Sequence, residues 1–180
     1  MSRAAEVLAD ARSRPGTLGG GRLVCVDGPT GSGKTTLAAE VADLAGASLV
    51  HLDDLYPGWN GLSSFEPEVH RLLDPLAAGD TGYYRRFDWT AGEYLETHHV
   101  DPSPLLVLEG VGSGNRSWRA LVTTLVWLEA PAEVRLARGI DRDGEAMREH
   151  LMRWMVEEEA MFAREQTRDR ADLRFDTVAG

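Results

Sequence analysis

Gly28-Pro29-Thr30-Gly31-Ser32-Gly33-Lys34-Thr35 is the stretch whose reading decides the fold of this chain. It matches glycine, any four residues, glycine, lysine and then serine or threonine at every defined position. Glycines at this spacing let backbone N–H groups turn inward around phosphate oxygens, and the helix that follows points the positive end of its dipole at them. The lysine of such a loop reaches the β- and γ-phosphates, and the next hydroxyl ligates Mg²⁺. Lys34 is the only lysine in the 180 residues, and arginine supplies the other 18 of the 19 basic side chains. A composition so averse to lysine keeps one where a compact ammonium on a flexible stem is needed.

The flanks agree with the motif. Leu23-Val24-Cys25-Val26 is a short apolar, β-favouring run that reads as a buried parallel strand. Thr36 to Ala45 is rich in helix formers, with Leu37, Val41 and Leu44 at helical spacing and Gly46 as its stop. Strand, glycine loop and helix occur in the order that a phosphate cradle requires. The nucleotide-contacting set expected from it is Gly28, Pro29, Thr30, Gly31, Ser32, Gly33, Lys34, Thr35 and Thr36.

Composition narrows the partners. The formal net charge is −10, so nucleic acid is repelled by the general surface, while small phosphorylated ligands remain compatible with a loop of amides. No apolar run is long enough to span a bilayer, and the N-terminus lacks a secretory layout, so membrane partners are not expected. A single cysteine, Cys25, excludes an internal disulfide and fits a reducing cytoplasm. Ala4, Val7, Leu8 and Ala11 mark a short amphipathic helix, giving an N-terminal helix and loop over 1–21 and one domain over 22–180.

Ser48 to Leu52 reads as a second strand that ends in Asp53-Asp54-Leu55-Tyr56. Open parallel sheets bind ligands beyond the carboxyl ends of their strands. One of the two aspartates would take the proton from an attacking hydroxyl, and the other would hold a Mg²⁺-bound water. Leu105 to Leu108 is a third strand ending in Glu109, the placement of a carboxylate that supports Mg²⁺. The candidate metal set is Thr35, Asp53 and Glu109, with the base left open between Asp53 and Asp54. Gly110, Gly112 and Gly114 imply a backbone that approaches something closely. Leu125 to Leu128 and Leu173 to Phe175 complete five strands of a doubly wound α/β sheet.

Between the second and third strands the chain is irregular and aromatic. A helix from Glu66 to Ala78 is limited by Pro67 and Pro75. Most of the aromatic residues here fill a secondary core; Trp89 and Tyr84 are the better candidates for ligand contact. Further on, Pro131 suits a first helical position, and Arg135, Arg138 and Arg142 share one helical stripe suited to phosphate. Gly139 would let that helix bend as part of a lid over about 135–150. Met147, Leu151, Trp154, Met155, Met161 and Phe162 form a core stripe on a helix from Gly144 to about Glu165, and Glu157-Glu158-Glu159 reads as mostly solvent-facing charge. His98-His99 is no metal pair, and neither it nor His51 or His70 is given a role.

With these residues in place the chain resembles the uridine kinase-like family of P-loop nucleoside kinases, from Leu23 to about Asp176. The landmarks are the loop, Asp53-Asp54-Leu55-Tyr56, Leu108-Glu109-Gly110, Arg135-Leu136-Ala137-Arg138 with Arg142-Asp143, and Ala171-Asp172-Leu173. The resemblance implies a P-loop fold of five parallel strands with helices on both faces and a helical lid. It implies Asp53 as base toward a nucleoside 5′-hydroxyl, Glu109 as support for Mg²⁺, and Arg138 and Arg142 as phosphate clamps. Phe87-Asp88-Trp89 is similar to a family segment beside the nucleoside, so Tyr56, Tyr84, Arg86, Asp88 and Trp89 are the expected acceptor contacts.

Tyr84-Arg85-Arg86 departs from the family by adding two cations, which points to an acceptor that already carries negative charge. The chain also stops soon after its last strand, with little left for an adenine-holding loop. The expected function is ATP- and Mg²⁺-dependent transfer of the γ-phosphoryl group to a hydroxyl of a small metabolite, a nucleoside first of all, with Lys34, Asp53, Arg138 and Arg142 as the catalytic group. The alternatives are a kinase of nucleoside monophosphates or other anionic acceptors, and an ATPase or nucleotide switch. A guanine-specific switch would need a second lysine, which the chain does not have.

Overall fold

The computed structural model describes residues 1–178. Helix α1 (Arg3–Ser13) precedes strand β1 (Arg22–Asp27), and the phosphate loop leads into α2 (Lys34–Ala45) and β2 (Ser48–His51). Then come α3 (Glu66–Ala78), an antiparallel hairpin of β3 (Gly82–Asp88) and β4 (Glu93–Val100), and β5 (Leu105–Glu109). Strand β6 (Thr124–Glu129), helices α4 (Ala132–Asp143), α5 (Arg148–Glu165) and α6 (Thr167–Arg170), and strand β7 (Leu173–Asp176) complete the described chain.

The main sheet is parallel throughout, in the order β2-β5-β1-β6-β7. Side-chain alternation assigns its two faces. Val24 and Val26 of β1 pack with Val7 and Leu8 of α1 and Leu37 and Val41 of α2. Leu23 and Cys25 pack on the other face with Leu72 and Leu73 of α3 and with Trp154 and Met161 of α5. Helices thus cover both faces, as the sequence predicts, and α1 belongs to the same packed unit as the sheet. The last two positions of the expected domain, 179 and 180, lie outside the described residues.

Several local expectations are corrected. Residues 82–100 form an ordered hairpin; a register shift between Arg86 and Phe87 breaks the alternation that would have marked β3. α3 continues through Pro75, which lies near its C-terminal end, and Pro67 sits in its first turn where no N–H partner is lost. Pro131 precedes α4 as its cap. α5 begins only at Arg148, because residues 145–147 form a separate 3₁₀ turn. At Gly139 a Cβ would stand 3.2 Å from Leu151, so the glycine also lets α4 lie close against α5.

Candidate active site

The phosphate loop leaves the carboxyl end of β1, the central strand. Gly28 and Gly31 hold φ of 141° and 78°, and a Cβ on either would collide with a carbonyl, that of Leu128 at 2.1 Å or Arg135 at 2.4 Å. The loop is therefore pressed between the end of β6 and the start of α4, which only glycine permits. Gly33 caps α2, and neither a side-chain cap nor an acid in the first turn satisfies the positive helix end. Lys34 opens α2 and its Nζ donates back across the loop to the Pro29 carbonyl at 3.1 Å. The Ser32 hydroxyl is buried with no hydrogen-bond partner. An uncapped helix end, an ammonium and an orphaned hydroxyl are what a phosphate group satisfies.

Two buried acids brace this loop, and neither was assigned from sequence. Asp27 is fully buried and accepts N–H bonds from Gly28 at 2.7 Å, Gly112 at 2.9 Å and Gly114 at 2.8 Å. The glycines after β5 therefore come close to the carboxylate that begins the loop. Burial pushes Asp27 up to about 6, against the pull of those amides and of Lys34. Glu158 of α5 is 1% exposed, which overturns its reading as solvated charge. Its carboxylate accepts the Thr30 N–H at 2.8 Å and an Arg135 Nη1–H at 2.9 Å. Burial raises its pKa, opposed first by the Thr30 amide. Arg135 also donates to the carbonyls of Ala130 and Thr30, so it supports the loop from behind. Glu158 lies four residues after Trp154 and three before Met161, on the face the apolar stripe had already marked; that spacing was the available signal.

Beside the loop, Glu109 ends β5 and is 3% exposed. One of its oxygens accepts from Thr35 Oγ1 at 3.3 Å and lies 2.5 Å from His51 Nδ1. The hydrogen bond to Glu109 raises the His51 pKa against partial burial. Asp53 follows β2 in a 3₁₀ turn, and its surface opens into a cleft of about 1110 Å³ shared with Lys34, Thr35 and Glu109. Asp53 is exposed to the open cleft, yet crowding by the cleft walls and then Glu109 raise its pKa, opposed by Lys34, Arg142 and His51. Asp54 does not line the cleft. Thr30, Gly31, Gly33 and Thr36 do, while Gly28, Pro29 and Ser32 shape the loop behind them.

The expected acceptor contacts divide. Trp89 lines the cleft, is 41% exposed, and donates its indole N–H to the Asp53 carbonyl at 2.9 Å. Trp59 and Trp154 line the same end, with Trp59 edge-on to both Trp89 and Trp154. Tyr56 reaches the cleft wall but is buried, its hydroxyl donating to the Val111 carbonyl at 2.7 Å. Tyr84, Arg86 and Asp88 do not line the cleft. Tyr84 stacks on His98, Arg86 pairs with Glu96 at 3.0 Å, and Asp88 caps the amides of Thr90 and Ala91. Arg85 is also committed, to buried Glu68. The pair of cations expected to favour an anionic acceptor thus stands outside the cleft.

Arg138 and Arg142 both line it. Arg138 donates to the Gly31 carbonyl at 3.1 Å and to Thr177 Oγ1 at 3.0 Å, and Arg142 pairs with its neighbour Asp143 at 2.6 Å. Among the described residues no three His, Cys, Asp or Glu side chains gather as a metal cage. Mg²⁺ does not need one, because it is held by one or two protein oxygens together with phosphate and water. Thr35, Glu109 and Asp53 offer the hard oxygen donors it prefers.

Comparison with known proteins is consistent with this geometry. A uridine kinase from Halobacterium salinarum is 29% identical over 136 residues, 66% of this chain and 60% of that protein. A tRNA dimethylallyltransferase from Phenylobacterium zucineum is 32% identical over 136 residues, 69% of this chain and 43% of that protein. The match thus spans less than two thirds of either curated relative's length. Among solved structures, a Bacillus stearothermophilus protein provisionally assigned as a uridine kinase superposes with a TM-score of 0.63 at 22% identity, covering 87% of this chain and 89% of that one. A Silicibacter protein provisionally assigned as a fructose transport system kinase gives 0.62 at 20% identity, covering 97% and 99%. No family model matches the chain.

Sheet order, loop and cleft define a P-loop protein with the architecture of small-molecule kinases. Within that class the chain shares its fold with the two kinase-like structures and is similar in sequence to a uridine kinase.

Proposed function

We propose that this protein is a cytoplasmic ATP- and Mg²⁺-dependent kinase that phosphorylates a hydroxyl of a small, uncharged metabolite, with a nucleoside as the leading acceptor. One observation carries the reading: Asp53 opens into the same cleft as Lys34 and Thr35, beside the aromatic wall of Trp59 and Trp89. An ATPase needs a place for water there, whereas an aromatic wall next to a carboxylate suits an organic alcohol.

Bound ATP and Mg²⁺ would supply the activated phosphoryl group and offset its charge. Lys34 exchanges its bond to the Pro29 carbonyl for phosphate oxygens. Thr35 and Glu109 offer oxygens to the cation, and Asp53 accepts the proton as the acceptor hydroxyl attacks. Trp59 and Trp89 hold the acceptor ring and keep water from its hydroxyl. Arg138 and Arg142, at the rim over residues 135–150, bring positive charge to the transferring group as that segment closes.

The anionic-acceptor alternative loses its support, since Arg85 and Arg86 are bound to Glu68 and Glu96. The net charge of −10 likewise argues against a tRNA substrate of the kind named for one relative. The test is ATP with pooled nucleosides, nucleotides and sugars, read as the mass gain of one phosphate. An uncharged acceptor should gain it, and Asp53→Asn should keep ATP binding while turnover falls about 10²- to 10⁴-fold. Rapid ATP hydrolysis with no acceptor modified would replace the kinase by an ATPase.

A further inference from the structure

The cleft extends past the phosphate loop in two directions, and the sheet order says what each end holds. Asp53 follows β2, one edge strand; Thr177 follows β7, the other; the loop follows β1 in the centre. A triphosphate whose reacting end faces Asp53 and Glu109 must run its remaining phosphates and nucleoside toward the β7 edge. At that end the cleft is lined by Arg3, Leu37, Glu40, Arg138 and Thr177. Thr177 stands beside the loop, its methyl 3.6 Å from where a Gly33 Cβ would be. Arg138 joins Thr177 to the Gly31 carbonyl.

Arg3 comes from α1, an element outside the phosphate-binding motif. Its guanidinium donates to the Asp176 carbonyl at 2.8 Å and lies 5.9 Å from the Phe175 ring centroid. The helix behind it is fixed by burial of Ala4, Val7, Leu8 and Ala11. A guanidinium braced by a carbonyl and an aromatic ring is a flat cationic platform, the kind of surface on which a purine stacks. Glu40, one turn beyond Thr36 on α2, adds an acceptor for a base amino group.

Resting on the kinase reading, we propose that α1 completes the donor site and that Arg3 holds the nucleoside part of the purine triphosphate.

The test uses the full chain with Mg²⁺ and titrates ATP and inorganic tripolyphosphate by calorimetry. Arg3→Ala should weaken ATP about tenfold and leave tripolyphosphate within twofold, because the loop is untouched; Arg3→Lys should recover only part of the loss, since it restores charge without the plane. A thermal midpoint equal to the parent's shows that α1 is still docked. Unchanged ATP affinity in Arg3→Ala, or an equal loss for both ligands, overturns this inference alone. A parent protein that binds neither ligand overturns the phosphate-loop reading, and this inference with it.

Discussion

Arg85 and Arg86 on β3 meet Glu68 and Glu96, whereas Arg138 and Arg142 on α4 line the cleft. Both pairs sit in arginine-rich stretches and both would suit a phosphate. The hairpin supplies each of its arginines with a carboxylate from a neighbouring segment, and Arg85 also lies over the Tyr94 ring, 4.5 Å from its centroid. The rim gives Arg138 neutral oxygens, so it keeps its positive charge for the cleft, while Arg142 pairs with Asp143, a carboxylate that lines the same cleft. What separates a structural cation from a ligand-binding one is whether the fold has already provided its counter-charge.

Arg142→Ala puts the largest strain on that contrast. Turnover should fall about 10²- to 10³-fold with little change in melting, because the arginine acts on charge that develops during transfer. Steady-state kinetics within twofold of the parent would break the comparison.

An intermediate case is Asp27, whose contacting partners are backbone amides and not a guanidinium. Its folded pKa of about 6 exceeds the ordinary 3.8, so the folded state holds the proton more tightly. Its contribution to stability is greatest below about pH 4 and declines as pH rises toward 6, by about 3 kcal/mol at most. Denaturation at pH 4.5 and 7 should show that decline in the parent and a smaller one in Asp27→Asn. Parallel curves would mean that the amides, not burial, govern this acid.

Arg85→Ala should cost about 1 kcal/mol of stability, discounted because the guanidinium is 43% exposed, while leaving Glu68 buried without its nearest cation. Kinetics of phosphoryl transfer should be unaffected; a raised KM for the acceptor would return the hairpin to the active site. The smallest effect belongs to Arg86→Ala, where an exposed pair with Glu96 is removed and neither melting nor turnover should move measurably.

The parts legible in the sequence are those written locally. Lys34 and Thr35 lie in one contiguous motif, and the apolar runs of β1, β5 and β6 announce buried parallel strands. Asp53 and Glu109 were readable as cleft residues because each lies at the carboxyl end of an apolar strand. Long-range pairing was not legible: nothing near Glu158 in sequence says that Thr30 and Arg135 will meet it. His51 looked idle for the same reason, since its partner Glu109 lies 58 residues away on the next strand. Tyr84, Arg86 and Asp88 were expected at the cleft because their partners, His98, Glu96 and the amides of Thr90 and Ala91, are set by hairpin pairing that composition does not encode.

The ammonium at the mouth of α2 has a practical corollary. It is the one side-chain primary amine in the chain, and it is 8% exposed while bonded to Pro29. An amine-selective acylating reagent therefore has a single internal target, and intact-mass spectrometry can count modified molecules without digestion. Occupancy of the loop becomes directly measurable as shielding of that target.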